Sequence, residues 1–89
     1  MRAVLSVVGK DNTGIIAKVS AECAKYGVNI IDITQSVIKE YFTMIMLVDI
    51  DKITVEYNKF VDIMGELGRD NNLDIHMMHE EIFNAMHKI

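Results

Sequence analysis

Apolar side chains recur along this 89-residue chain with two different periods. Residues 2–8, 28–38, 41–50 and 73–78 carry apolar, largely β-branched or alternating sequence and are predicted to form strands. Apolar residues three and four positions apart predict one helix from Thr13 or Gly14 to Tyr26 and another that begins at Thr54 and ends near Asp70. Residues 79–89 predict a short third helix. The chain therefore alternates strand, helix, strand, strand, helix, strand, with a helix at the end.

The strands differ in how much water they are expected to meet. Residues 28–38 alternate apolar with polar side chains in their middle, as a strand with one wet face does. Residues 44–48 contain only methionine, isoleucine, leucine and valine. We therefore expect residues 41–50 to form a central strand that is covered on both faces.

Each helix has an apolar stripe and signals at its ends. For the first helix the predicted N-cap is Asn12 or Thr13, and Gly27 is the expected residue just beyond its C-terminal end. Thr54 is the predicted cap of the second helix. The expected stripe of the first helix is Ile15, Ile16, Val19, Cys23 and Tyr26, and that of the second is Tyr57, Phe60, Val61, Met64 and Leu67.

This order of elements predicts an α+β fold. Right-handed crossovers and one tight hairpin give a ferredoxin-like βαββαβ sandwich, with a four-stranded antiparallel sheet and two helices on one face. We expect a single domain over residues 1–89, with a core over residues 2–78. The helix predicted over residues 79–89 has an apolar side made of Ile82, Phe83, Met86 and Ile89, which either covers the other face of the sheet or crosses to a second chain. A homodimer with two-fold symmetry is the simplest assembly.

Charge and composition argue against several partners. The chain has 9 basic and 13 acidic residues, a net charge of −4 and no run of lysine or arginine, which disfavours nucleic acid and anionic membranes. No stretch approaches 18 uncharged apolar residues, and no separate apolar leader precedes the first strand. One cysteine without a partner favours a reducing compartment, so the expected location is the cytoplasm.

No catalytic or metal-binding pattern is found in the sequence. His76, His79 and His87 lie near Glu80 and Glu81, but the spacing is not that of an H-E-x-x-H zinc site. Cys23 falls on the apolar side of its helix, where an inert core thiol is expected. The expectation is therefore a protein with no enzymatic activity, no cofactor and no metal.

The stretch Gly9-Lys10-Asp11-Asn12-Thr13-Gly14-Ile15-Ile16 joins the first strand to the first helix. Free backbone N–H groups at a helix N-terminus suit a carboxylate or another small anion. The same residues have structural interpretations: Asp11 and Asn12 as turn formers or caps, and Gly14 as a glycine that lets helix and sheet pack closely. Asn29, at the start of the second strand, can likewise satisfy a neighbouring turn.

This stretch, followed by Tyr26-Gly27-Val28-Asn29-Ile30, resembles the ACT domain, a small regulatory module that binds amino acids. The resemblance covers roughly residues 2–78. Asp32-Ile33-Thr34-Gln35 and Tyr41-Phe42-Thr43-Met44-Ile45-Met46 make it closest to small free-standing ACT proteins and to the ACT halves of glycine-cleavage regulators. It implies a homodimer or higher oligomer whose chains join sheets side by side or pack helices together, with an effector site at the seam.

In amino-acid-binding members of that family, the loop after strand one meets the start of strand two of the other chain. The matching ligand-binding positions in this chain are Asp11, Asn12, Thr13, Gly14, Ile15 and Asn29. Two positions depart from the pattern, since Thr13 replaces a frequent proline and Gly9 replaces a side-chain donor.

The chemistry of these positions suits an amino acid. The N–H groups at Gly14 and Ile15 suit its carboxylate, and the oxygens of Asp11 and Asn29 suit its ammonium group. The expected function is therefore a regulatory module that senses an amino acid or a related metabolite and passes its state to a protein partner. The alternative is a dimerisation or interaction module with no small ligand.

Overall fold

The computed structural model describes residues 1–10 and 14–86. Its elements are β1 (Arg2–Gly9), α1 (Ile15–Lys25), β2 (Asn29–Ile38), β3 (Tyr41–Asp49), α2 (Tyr57–Asp70), β4 (Leu73–His79) and α3 (Glu80–Met86). The four strands form one sheet in the order β2-β3-β1-β4, and every neighbouring pair is antiparallel. The predicted ferredoxin-like βαββαβ fold is confirmed.

The core lies between the sheet and the helices α1 and α2. Alternate residues of the two central strands point into it and are fully buried: Ala3, Leu5 and Val7 of β1, and Met44, Met46 and Val48 of β3. Val19 and Cys23 of α1 and Phe60 and Met64 of α2 cover them and are equally inaccessible. Burying one side chain of this kind contributes roughly 1.5–3 kcal/mol, so this layer holds the fold together.

The opposite side of the sheet, which we call the outer face, is covered only in part. The short helix α3 contacts β1 and β4, and its Phe83 lies in a groove with Val4 of the outer face. The expectation that this helix covers the second face of the sheet is therefore confirmed for the half formed by β1 and β4. The expectation that β3 is covered on both faces is wrong at Ile45, which is 36% exposed in the single chain.

A β-bulge adjusts β2 to the core. The pairing with β3 shifts between Ile30 and Asp32, so that Ile30 lies opposite Val48 and Ile33 opposite Met46. Both isoleucines pack against the core. Since they are three residues apart, a regular strand would place one of them outside, and the extra residue of the bulge lets both face inward.

The ends of the helices differ from the prediction in two places. The N-cap of α1 is Gly14, without a side-chain hydrogen bond, rather than Asn12 or Thr13, which lie outside the described residues. The N-cap of α2 is Glu56 rather than Thr54. Thr54 instead donates its backbone N–H to the Tyr26 carbonyl at 2.9 Å, which holds residues 53–56 as a connection beside the end of α1.

The end of α1 is as predicted. Gly27 has a φ of 75° and donates to the Ala24 carbonyl, while Val28 donates to the Cys23 carbonyl at 2.9 Å. These two bonds form a Schellman motif, which satisfies carbonyls at the end of the helix.

Three apolar side chains of the predicted helical stripes are exposed in the single chain, and for the two in α3 this leaves the predicted contact with a second chain open. Ile16 of α1 is 37% exposed, and Ile82 and Met86 of α3 are 52% and 66% exposed. Only Phe83 of the predicted α3 stripe is half-buried, and Ile89 lies outside the described residues. Among the helices within residues 14–86, none combines the length and the apolar character that a membrane crossing needs.

The glycine at the end of α1 provides a test of this fold. Gly27→Ala should destabilise the protein by about 2 kcal/mol or more, because alanine disfavours the left-handed backbone and its Cβ would overlap the Lys52 carbonyl oxygen. Gly65→Ala is the matched control: the nearest atom to its Cβ, Arg69 Nη1, is 3.6 Å away, so the free energy of unfolding should rise by about 0.5–1 kcal/mol. Urea unfolding measures both changes. Equal effects of the two substitutions would contradict the assigned geometry.

Candidate functional site

The predicted binding residues lie at two ends of the sheet. β1 ends at Gly9, which is paired with Phe42, whereas Asn29 begins β2 opposite Asp49, the partner of Arg2. The two positions are therefore separated by the length of β1, and the seven residue steps of that strand span about 23 Å. A single chain does not bring the predicted residues together.

At the first end, the turn leads into α1 through Gly14. Gly14 is exposed and has a φ of 71°, and the nearest atom to a Cβ there is Lys18 Cε at 4.0 Å. The glycine is therefore required by its left-handed backbone and not by close helix–sheet packing. Asp11, Asn12 and Thr13 lie outside the described residues.

Ile15 contributes only its backbone to this end, because its side chain is buried in the core. Within the described residues no acidic side chain is present in the first turn of α1 and no side chain caps it. Backbone N–H groups at such a helix end, together with the helix dipole, favour an anion. The exposed Lys10, whose Nζ lies 5.8 Å from the centre of the Tyr41 ring, adds positive charge beside them.

The position of Gly9, where a side-chain donor was expected, is explained by packing. A Cβ at Gly9 would lie 2.5 Å from Leu73 Cδ2, on the neighbouring strand β4. A side chain at this position would require the Leu73 side chain to move, and with glycine the two pack closely.

At the second end, Asn29 lines a polar cleft of about 440 Å³. The other lining residues are Gly27, Asp49, Asp51 and Lys52. Asp49 Oδ1 accepts a hydrogen bond from the Asp51 backbone N–H at 2.8 Å, and the Asp51 carboxylate pairs with the Met1 amino group. The Asn29 amide oxygen and the Asp49 carboxylate can accept hydrogen bonds from a ligand ammonium group, whereas the Asp51 carboxylate is already paired with Met1 and Lys52 adds one positive charge.

The sequence analysis named Asn29 as a candidate but did not name Asp49, Asp51 and Lys52, which line the same cleft. Asp49 is the last residue of an apolar strand, and Asp51 and Lys52 follow in the connection to α2, so they read as ordinary solvated turn residues. Only the antiparallel pairing of β2 with β3 places Asp49 directly beside Asn29.

His76 and His79 are engaged in structural contacts, and His87 lies outside the described residues. His76 Nε2 lies 2.9 Å from Asp74 Oδ1, and the ring of His79 stacks on that of Tyr57 with centres 4.4 Å apart. Burial raises the pKa of the Tyr57 hydroxyl. Over residues 1–10 and 14–86, no group of three histidine, cysteine, aspartate or glutamate side chains is placed to hold a metal ion.

Comparisons with known proteins agree with the architecture. The model of the ACT domain matches residues 2–78. A UPF0237 protein of Listeria monocytogenes is 48% identical over 89 residues, and the match covers 100% of both chains. A UPF0237 protein of Clostridium perfringens is 47% identical over the same length, again with 100% of both chains covered.

Two solved structures are similar to the chain. An ACT domain protein from Streptococcus pneumoniae superimposes with a TM-score of 0.83 and 38% identity over 93% of each chain. A putative glycine cleavage system transcriptional repressor superimposes with a TM-score of 0.70 and 26% identity, over 86% of this chain and 44% of its own.

The environment of Cys23 provides a test of its chemistry. Burial raises the pKa of the Cys23 thiol to about 11, so the reactive thiolate is scarce at neutral and mildly alkaline pH. We expect the folded protein to react with a thiol reagent such as 5,5′-dithiobis(2-nitrobenzoate) at pH 8 at least about 100-fold more slowly than the urea-unfolded chain. Comparable rates in the two states would show that Cys23 is accessible and activated.

The raised pKa of Cys23 also determines how the stability of the protein changes with pH. Because the folded-state pKa is the higher one, the unfolded chain loses the Cys23 proton first as the pH rises. The contribution of Cys23 to stability is therefore complete below pH 8 and declines as the pH rises towards about 11.

Proposed function

Since the chain belongs to the ACT domain family, we propose that it is a non-catalytic regulatory module that binds an amino acid at the seam of a homodimer. The observation that carries this proposal is the division of the candidate site between opposite ends of one sheet. A second copy is needed to bring an anion-binding helix end and an ammonium-binding cleft together. The free α-amino acid is the simplest ligand that carries both charges.

The exposed edge of β2 supports this dimer. β2 is ten residues long and lies at the edge of the sheet, with Asp32 as its one charged side chain and no proline. Ile31, Val37 and Ile38 are 45%, 65% and 64% exposed. Edge strands of soluble monomers are commonly protected by charges, proline or a covering element, and an edge as long and apolar as this one favours pairing with another strand.

A two-fold axis through Thr34 gives a specific register for that pairing. In it, Ile31 lies opposite the partner's Val37, so that exposed apolar side chains cover each other. Asp32 lies opposite the partner's Ser36, which keeps the two negative charges apart. The axis is perpendicular to the sheet and extends it to eight strands.

This arrangement also joins the two halves of the site. Antiparallel pairing places the partner's Asn29 beyond Ile38, at the hairpin end of the sheet, where Tyr41 and Lys10 lie. The partner's β2 is then three strand spacings, about 14 Å, from β1, and the proposed ligand lies between the two. In this position, the ligand carboxylate meets the N-terminus of α1, and its ammonium group meets the partner's Asn29 and Asp49.

The second candidate function is a dimerisation module without a small ligand, whose state is passed on by surface contacts. The same apolar edge of β2 favours it, because two β2 strands can pair with each other without a ligand. In both cases a regulated protein partner binds the module and responds to its state. We place the protein in the cytoplasm, because its one cysteine is buried and unpaired, as is usual in a reducing compartment.

Ligand binding is tested by thermal unfolding with each of the twenty amino acids. At ten times its Kd, a ligand stabilises the folded protein by about 1.4 kcal/mol, which raises Tm by about 6–10 °C for a domain of this size. One or a few amino acids should give this shift. Asn29→Ala and Asp49→Asn should abolish it, while Asp62→Asn, a removal of charge on the exposed side of α2, should leave it unchanged. If no amino acid raises Tm, the ligand-free module is the better description.

The dimer and its register are tested by single cysteine substitutions on β2. Thr34→Cys should form a disulfide-linked dimer under mild oxidation, because a residue on the two-fold axis faces its own copy with Cα atoms about 4.5–5.5 Å apart. Ser36→Cys is the matched control: it is also exposed, but the register places its two copies about 13 Å apart along the strand. Non-reducing gels measure the linked fraction, and Cys23 does not compete because it is fully buried.

Equal linking of both variants, or none of either, would contradict the register. If Thr34→Cys forms no linked dimer but an amino acid still raises Tm, the dimer interface lies elsewhere on the protein.

A further inference from the structure

A second cavity, separate from both ends of the candidate site, lies on the outer face between α3 and the sheet. We call it the α3 groove, and its volume is about 220 Å³. Its apolar lining consists of Val4 of β1, Ile45 and Leu47 of β3 and Phe83 of α3. Within the described residues, α3 contacts β1 and β4, and the groove lies between this helix and β2.

The side of the groove that faces β2 is polar and carries a carboxylate. Asp32 and Thr34 line it from β2, and Asn84 lines it from α3. Asp32 lies there because of the β-bulge: the shift after Ile30 pairs Asp32 with Leu47 and turns it to the outer face. Without the bulge, Asp32 would point towards the core.

The orientation of the Asp32 carboxylate is fixed by the backbone. Its Oδ1 accepts a hydrogen bond from the Ile33 backbone N–H at 2.9 Å. The structure gives Asp32 no cationic partner among the described residues. A carboxylate held at the edge of an apolar groove in this way favours a ligand that brings a positive charge.

The other acidic side chain of the groove is already neutralised. Glu80 Oε2 lies 2.9 Å from Arg2 Nη2, and Arg2 Nε donates to Glu80 Oε1 at 3.0 Å. This bidentate pair engages both the Glu80 carboxylate and the Arg2 guanidinium group. With Glu80 paired to Arg2, the Asp32 carboxylate is the one charge of the described lining that is not compensated.

We propose that the α3 groove binds a small primary amine with a short aliphatic body. The aliphatic part contacts Ile45 and Leu47 and removes their exposed surface from water, and the ammonium group donates to Asp32. Thr34 and Asn84 provide further oxygen acceptors for the remaining ammonium protons. The volume is below the roughly 300 Å³ at which pockets for drug-sized ligands begin, so the ligand is small.

The proposal is independent of the amino-acid site. The α3 groove uses the outer face and α3, whereas the amino-acid site uses the N-terminus of α1 and the cleft at Asn29. A ligand in the groove would join α3 to β2 and β3, and so reduce the exposure of Ile45, which is 36% in the free chain.

The experiment is a methyl NMR titration of the full chain with n-hexylamine, n-hexanoate and 1-hexanol at pH 7. The three probes share their hydrocarbon body and differ in charge. Hexylamine should give saturable shifts of the methyl groups of Val4, Ile45 and Leu47. It should bind about tenfold more tightly than hexanol, which is the advantage of a charged hydrogen bond, and hexanoate should bind most weakly.

Two variants locate the binding. Asp32→Asn should weaken hexylamine about tenfold and leave hexanol unchanged, and Asn84→Trp, at an exposed position of α3, should fill the groove and abolish both. Asp74→Asn is the matched control, because it removes an exposed carboxylate from the same face of the sheet outside the groove and should change neither affinity.

Four results would overturn the proposal: hexanoate binding as tightly as hexylamine, an unchanged hexylamine affinity in Asp32→Asn, continued binding in Asn84→Trp, or shifts that do not saturate. Intermolecular nuclear Overhauser effects to Ile45 and Leu47 without any probe would also overturn it, because they would show that a second copy fills the groove.

Discussion

The structure depends on burying one face of a four-stranded sheet beneath two helices. The inward residues of β1 and β3 have no accessible surface, and they meet equally buried residues of α1 and α2. Since side chains alternate between the faces of a strand, a slip of one residue would move this whole set into water. The packing therefore fixes the register of the two central strands, and every other feature of the sheet follows from that register.

The edge strand β2 shows how local structure adapts to this constraint. Ile30 and Ile33 both belong to the core, but their spacing of three does not fit a regular strand. The bulge resolves the conflict and turns Asp32 to the outer face, where its carboxylate accepts a hydrogen bond from the Ile33 backbone N–H. The packing of both isoleucines into the core thus places the Asp32 carboxylate in the groove beside α3.

Topology also determines how the candidate site is divided. β1 and β2 are both antiparallel to β3 and are therefore parallel to each other. A helix that connects parallel strands must return along the sheet, so the loop that precedes α1 and the residue that begins β2 lie at opposite ends. For this fold a site made of both elements needs two chains. The ligand proposed for such a site would bind across two chains and would therefore also stabilise their association.

Hydrophobic periodicity was sufficient to predict the order of elements, the buried stripes of α2 and the terminating role of Gly27, because these depend on local preferences and on which residues avoid water. The two ends of the candidate site were proposed from a family resemblance, and of these residues the structure describes Gly14, Ile15 and Asn29. Contacts between distant segments could not be read from the sequence. Asp49 lies beside Asn29 because β2 pairs with β3. The hydrogen bond from the Thr54 N–H to the Tyr26 carbonyl depends on the path of the connection before α2, and the exposure of Ile45 depends on how much of the outer face is covered. Local sequence determines which side of each element avoids water, whereas only tertiary packing decides which polar groups are left beside one another, because that depends on the register in which the buried faces meet.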